Sequence, residues 1–188
     1  MKIGDFKVHH IVENTFKGDG GAMYGIVPKK VWSRFHDVDE ENMVLLHTNV
    51  YLIEGKGRLI LVDSGFGEVL TPKARRIYRL ENPSKLQSGL NELGFDKGDI
   101  TDIVLTHLHI DHASGILSED GIGFENAHIW VQKREIDAAI PLNLNERTRN
   151  AYISLDRLLD FKGFRIVRKN RLETVSYTHL TLPTILRV

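Results

Sequence analysis

Thr106-His107-Leu108-His109-Ile110-Asp111-His112 decides how this chain is read. It follows at once on Ile100-Thr101-Asp102-Ile103-Val104-Leu105, a β-branched and apolar run that predicts a strand over 100–106. Two imidazoles two residues apart at a strand end share a face, because side chains alternate along an extended chain. His107 and His109 can therefore converge on one ion, and Asp111 and His112, one turn further on, can reach a second. Neutral imidazole suits zinc and its neighbours in the transition series. Ion pairs about 3.5–4 Å apart are a known hydrolytic device. The chain has no cysteine, so His and carboxylate are the only strong ligands it offers.

Around this motif the pattern is layered. Phe6–Val12 is compatible with a first strand, Met43–Glu54 reads as a second, and Gly55-Lys56-Gly57 turns the chain back into the apolar run Arg58–Val62. Leu86, Leu90 and Leu93 fall on one face of a helix over 83–93, and Gly94 is placed to end it. A strand over 127–131, helices over 134–140 and 147–159, and a strand over 164–167 follow. Strands alternating with helices predict an α/β fold.

Composition removes several functions. The formal net charge is +0 over 188 residues, so nothing global points to nucleic acid or an anionic membrane. Without cysteine there is no disulfide framework. No apolar stretch approaches the roughly 20 residues a membrane helix needs, and MKIGDFKVHH has no apolar signal-peptide core. The cytoplasm is the expected location. Gly18–Gly25 lacks the Gly-Lys-Ser/Thr ending of a phosphate loop, so it is either a flexible connector or a lid whose Met23 and Tyr24 line a substrate pocket. His9 and His10 sit on the first strand, where at least one must face water, and His36, His47 and His128 have no partner at metal spacing and are read as surface or hydrogen-bonded groups.

His-x-His-x-Asp-His after an apolar strand resembles the signature of the metallo-β-lactamase superfamily, and Leu61-Val62-Asp63-Ser64-Gly65 looks like that family's first motif. Gly21–Pro28, Val131–Glu135 and Asn145–Arg149 are similar to the branch that holds N-acyl-homoserine lactonases. The resemblance implies a metallo-β-lactamase-like αββα sandwich, truncated to roughly its first half. It implies that His107 and His109 bind one divalent ion and Asp111 and His112 a second, with zinc the first choice and iron, manganese or cobalt the others. Asp111 is then also the catalytic group near the nucleophilic water, and Asp63 a buried support for the ligand loop. The implied reaction is hydrolysis of a lactone or related ester of small-molecule size. A glyoxalase II-type thioesterase is the alternative within the enzymes, and a structural zinc site or non-catalytic metal-binding fragment the alternative outside them.

The family completes its site with a histidine in a Gly-His turn, a bridging aspartate in a Gly-Asp turn and a last histidine, none of which occurs here. Two protein ligands per ion fall below the three usual for catalytic zinc, so weak binding and little turnover are expected of this polypeptide. Val175–Val188, VSYTHLTLPTILRV, has no acidic residue and is similar to a translated sequencing adapter. Residues 1–174 are accordingly read as the N-terminal part of the domain and 175–188 as a non-native tail, which also removes His179 from the ligand set. Half a sandwich would leave one sheet face uncovered, which predicts a homodimer or aggregation.

Overall fold

The computed structural model describes residues 1–140 and 151–168, with the backbone alone of 172–175 and 178–180. Its centre is a seven-stranded mixed sheet. The strands in chain order are β1 (Lys2–Ile3), β2 (Phe6–Asp19), β3 (Met43–Gly55), β4 (Arg58–Val62) and β5 (Asp102–Val104). The small hairpin β6 (Leu117–Ser118) and β7 (Gly121–Ile122) stands apart, and β8 (His128–Gln132) and β9 (Phe164–Val167) complete the sheet in the order β1-β2-β3-β4-β5-β8-β9. β1 to β4 are antiparallel, whereas β4, β5, β8 and β9 run parallel. Parallel neighbours need crossovers, and helices lie in each: α3 (Pro72–Ile77) and α4 (Leu86–Glu92) before β5, α5 (Ile110–Ala113) before β8, and α6 (Lys133–Ala139) before β9.

The β3–β4 turn follows from its residues. Lys56 and Gly57 both have positive φ, 51° and 70°, the left-handed pair that matches the twist of a tight hairpin. Side-chain alternation then assigns each strand residue to a face. Leu52, Leu61, Ile103 and Ile129 are fully buried on one side, with Leu86 and Leu90 of α4 and Ile136 of α6 packed over them. Among the described residues the other side carries a small cluster of Ile60, Val104 and Val167, flanked by Ile53 and Trp130. On that side Asp102 is wholly buried and held by Arg58 at 2.9 Å, Trp130 Nε1 at 2.9 Å and Thr101 Oγ1 at 2.7 Å. Charge pairing and two hydrogen bonds make burial of that carboxylate tolerable.

Three segments differ from the sequence expectation. The glycine-rich stretch is ordered: β2 runs on to Asp19, whose side chain caps α1 (Gly20–Tyr24) by accepting from Ala22 N at 2.9 Å. α3 was hidden by weak periodicity, although Thr71 caps it and Pro72 opens it. Of the helix expected over 147–159, only Asp156–Leu159 is helical among the described residues. Residues 151–153 are not helical because their backbone is bonded elsewhere: Tyr152 bridges His109, Ile110 N donates to Ala151 O at 2.9 Å and Ile153 N to Leu108 O at 3.1 Å. Residues 147–150 lie outside the described residues, as does most of the expected tail over 175–188, whose Thr178–Leu180 backbone pairs with Leu172–Val175.

Candidate metal centre

The C-terminal ends of parallel strands leave a crevice where neighbouring loops diverge, the usual place for a site in such sheets. Here the loops after β4 and β5 meet. The chain leaves β5 extended, so Leu108 and Ile110 point into the core while His107 and His109 turn to the partly exposed side. α5 then begins at Ile110 and brings Asp111 and His112 back over His107. Donor atoms of His107, Asp111 and His112 all lie within 4.8 Å of one another. The His109 ring stands beside this group, its centroid 4.8 Å from that of His107 and 4.6 Å from that of Tyr152.

Asp63 ties these groups together. It ends β4 in the left-handed region, φ 59°, a conformation short polar side chains tolerate better than most. Its Oδ1 accepts from Thr106 N at 2.8 Å, and its Oδ2 accepts from His112 Nδ1 at 2.9 Å. The Thr106 hydroxyl donates to the same carboxylate, 3.0 Å from Oδ1 and 2.9 Å from Oδ2. Having spent its one proton there, Thr106 Oγ1 accepts from His107 Nδ1 at 3.0 Å. In their neutral form both imidazoles thereby carry the proton on Nδ1 and leave Nε2 bare. His112 Nε2 lies 3.5 Å from Asp111 Oδ2, so the bare nitrogen and the carboxylate face one point. This donor set fits a divalent metal ion: neutral imidazoles, a carboxylate and a carboxylate behind the histidines.

A second lock joins the two loops through their backbones. Ser64 N and Oγ both donate to His112 O, at 2.7 and 3.0 Å, and Gly115 N donates to Gly65 O at 2.9 Å. Gly115 is needed for the approach, since a Cβ there would collide with the Ser64 carbonyl oxygen.

The electrostatics separate the two histidines. Burial, with the neighbouring His112 and His109, pushes His107 down from 6.5 to about 4. Burial also opposes the charge on His112, but the Asp63 hydrogen bond and the charges of Asp111 and Asp63 outweigh it and lift the group above 6.5. In metal-free protein the His112 ring is thus expected to titrate above pH 6.5 and His107 only near pH 4, as read from the pH dependence of their ring NMR signals. The linked effects on stability oppose each other. Neutral His107 costs stability as pH falls from 6.5 to about 4, because the unfolded chain binds the proton first. The His112 contribution is full below pH 6.5 and is lost as pH rises through its folded value.

Of the residues singled out from the sequence, Asp63 is hydrogen-bonded to His112 directly and to His107 through Thr106, Asp111 lies against His112 Nε2, and His109 is adjacent. Tyr24 stacks on Trp32 at 4.7 Å and tilts against His36 at 5.3 Å, and Met23 is half-exposed. Thr106, Tyr152 and Glu13 were not foreseen. The position of Thr106 directly before the motif is a signal for the first, but neither of the others carries one.

Residues 43–118 match the model of the Metallo-beta-lactamase superfamily. Two proteins, each named probable metallo-hydrolase, from Mycobacterium bovis and Mycobacterium tuberculosis, are 35% identical over 115 residues, 56% of this chain and 36% of each of them. A solved probable metal-dependent hydrolase from Staphylococcus aureus is 31% identical with a TM-score of 0.83, over 94% of this chain and 63% of that one. A dizinc quorum-quenching lactonase solved with N-hexnoyl-L-homoserine shares the fold at 24% identity and TM-score 0.66, over 93% of this chain and 62% of that one. The chain spans about a third of the length of the curated relatives it matches and just under two thirds of these solved structures.

Proposed function

We propose, for a chain whose residues 43–118 match the Metallo-beta-lactamase superfamily model, that it forms the metal-binding part of a hydrolase which opens a lactone or a related ester bond. The observation that carries this reading is the convergence of His107, Asp111 and His112 donor atoms within 4.8 Å, with the histidines oriented from behind by Asp63. His107 and His109 would hold one ion and Asp111 and His112 the other. Two divalent ions, zinc first, supply activation of a water and polarisation of the scissile carbonyl when bound.

The rest of the chemistry belongs to the chain. Asp63 holds the proton on His112 Nδ1, which keeps Nε2 available as a ligand and the ring in one orientation. The Asp111 carboxylate, partly exposed and beside that Nε2, is placed to steer a water and to take or return a proton as the bond opens. The neighbouring lactonase structures make a homoserine lactone with a short acyl chain the first substrate to test.

Zinc binding to this chain, measured by competition with a chromogenic chelator, is the first experiment. Binding that is lost in His107→Ala and in His112→Ala is expected; a chain that ignores zinc would overturn the reading. Hydrolysis is then assayed on the full product of the gene, with the lactone and with an S-acyl thioester. Cleavage of the thioester alone would move the assignment to a thioesterase.

A further inference from the structure

β2 does not pair evenly with β3. Val12 stands opposite Asn49 and Asn14 opposite Thr48, which leaves Glu13 as an extra residue in a bulge. A bulge bends its strand and re-aims a side chain, and such bulges are frequent beside active sites. Here it turns Glu13 inward until the residue is wholly buried. The carboxylate has three partners. Oε2 accepts from Thr48 Oγ1 at 2.7 Å and from Phe66 N at 3.1 Å, and Oε1 accepts from Gly67 N at 3.1 Å.

Phe66 and Gly67 belong to the loop that begins at Asp63. One side of that loop is therefore bonded to Glu13 and the other to the His112–Gly115 segment, through Ser64 N to His112 O and Gly115 N to Gly65 O. Gly65, at φ 73°, leaves the space that the carboxylate fills, since a Cβ there would run into Glu13. The loop has no other side-chain acceptor for these two amides among the described residues, and a buried amide left unpaired is destabilising. A carboxylate is matched to the task because it accepts on both oxygens and donates on neither. Glutamine in its place keeps one acceptor oxygen and sets an NH₂ group against a backbone N–H.

We propose that Glu13 is a positioning residue of the metal centre, a buried clamp on Phe66 N and Gly67 N that holds the loop so that Asp63 can orient His112 and Thr106. It acts only through the loop and touches no ligand itself. The inference rests on the reading of His107, Asp111 and His112 as ligands, but its first test needs neither metal nor substrate.

That test is amide hydrogen exchange on the metal-free chain, wild type against Glu13→Gln. The Thr106 amide, which donates to Asp63, is the reporter, and the amide of the buried β8 residue Ile129, bonded to Gly163 O at 3.0 Å, is the reference. Exchange at Thr106 is expected to speed up roughly tenfold beyond any change at Ile129, with zinc affinity weaker by a similar factor, the lower end of what loss of a ligand-supporting group costs. Thr48→Val removes one donor to Glu13 and leaves the loop clamp intact, so it should lower stability while Thr106 keeps its protection. A folded Glu13→Gln in which Thr106 is protected as in wild type overturns the proposal. Should Glu13→Gln fail to fold, the wild type decides. Phe66, Gly67 and Thr106 opening with one shared free energy supports the clamp, and Thr106 opening independently of the other two overturns it. A full-length product that leaves lactones and thioesters untouched would sink the hydrolase reading and leave the exchange result standing.

Discussion

Gly115→Ala is expected to lower stability by roughly 3 kcal/mol and to abolish zinc binding, the largest effect of any single methyl group in the described chain. The reason is that the obstacle is backbone. A Cβ at 115 would overlap the carbonyl oxygen of Ser64, and that peptide cannot swing aside, because Ser64 N is bonded to His112 O and Gly115 N to Gly65 O. Gly67 closes the remaining direction: a Cβ built on it would already lie 2.6 Å from Gly115 Cα. The two loops that carry Asp63 and His112 would have to separate. Gly94→Ala is the contrast. It has nothing within 4 Å and only the strain of φ +86°, so a loss of about 1 kcal/mol is expected there. Urea midpoints for the two variants, followed by chelator competition for zinc, make the comparison. Equal losses at 115 and 94 would show that the loops are not locked as described.

Asp63→Asn should weaken zinc binding by roughly 100-fold, near the upper end for groups that orient metal ligands. Asparagine keeps the size of the side chain and accepts the left-handed backbone at φ 59°, so the change isolates the carboxylate. Asp63 meets only donors: Thr106 N, the Thr106 hydroxyl and His112 Nδ1. An amide there must point its NH₂ at one of them. If it faces His112, the ring loses the partner that holds its Nδ1 proton, and Nε2 is no longer kept bare. If it faces Thr106, the hydroxyl turns away and His107 loses its acceptor at Nδ1. Both ligands are set by one carboxylate, which is why the expected loss exceeds that for Glu13→Gln. A chelator titration that finds zinc affinity within threefold of wild type would refute this account of Asp63. Thr106→Val separates the branches, since it removes the relay to His107 and leaves the His112 bond in place.

The local chemistry was legible from residue order. Spacing alone put His107 and His109 on one side of an extended segment, and the structure keeps them on the partly exposed side with Leu108 and Ile110 buried between and after them. The β3–β4 hairpin, α4 and β8 were equally readable, because a strand period, a helix period or a turn residue is a short-range signal. The helix expected over 147–159 failed at 151–155 for a tertiary reason: residues 151–153 lend their backbone to Leu108 and Ile110, which no periodicity records.

What the sequence by itself determined is the inventory: the ligand types, their spacing, the absence of thiolates and an α/β order of elements. Only the tertiary structure decided which groups orient the ligands. Asp63 meets His112 across 49 residues and Glu13 meets Gly67 across 54, and both contacts arise from a parallel crossover and a single-residue bulge. A hydrogen bond over such a distance leaves no trace in local pattern, because its energy depends on where the sheet places two loops and not on the residues that flank either one.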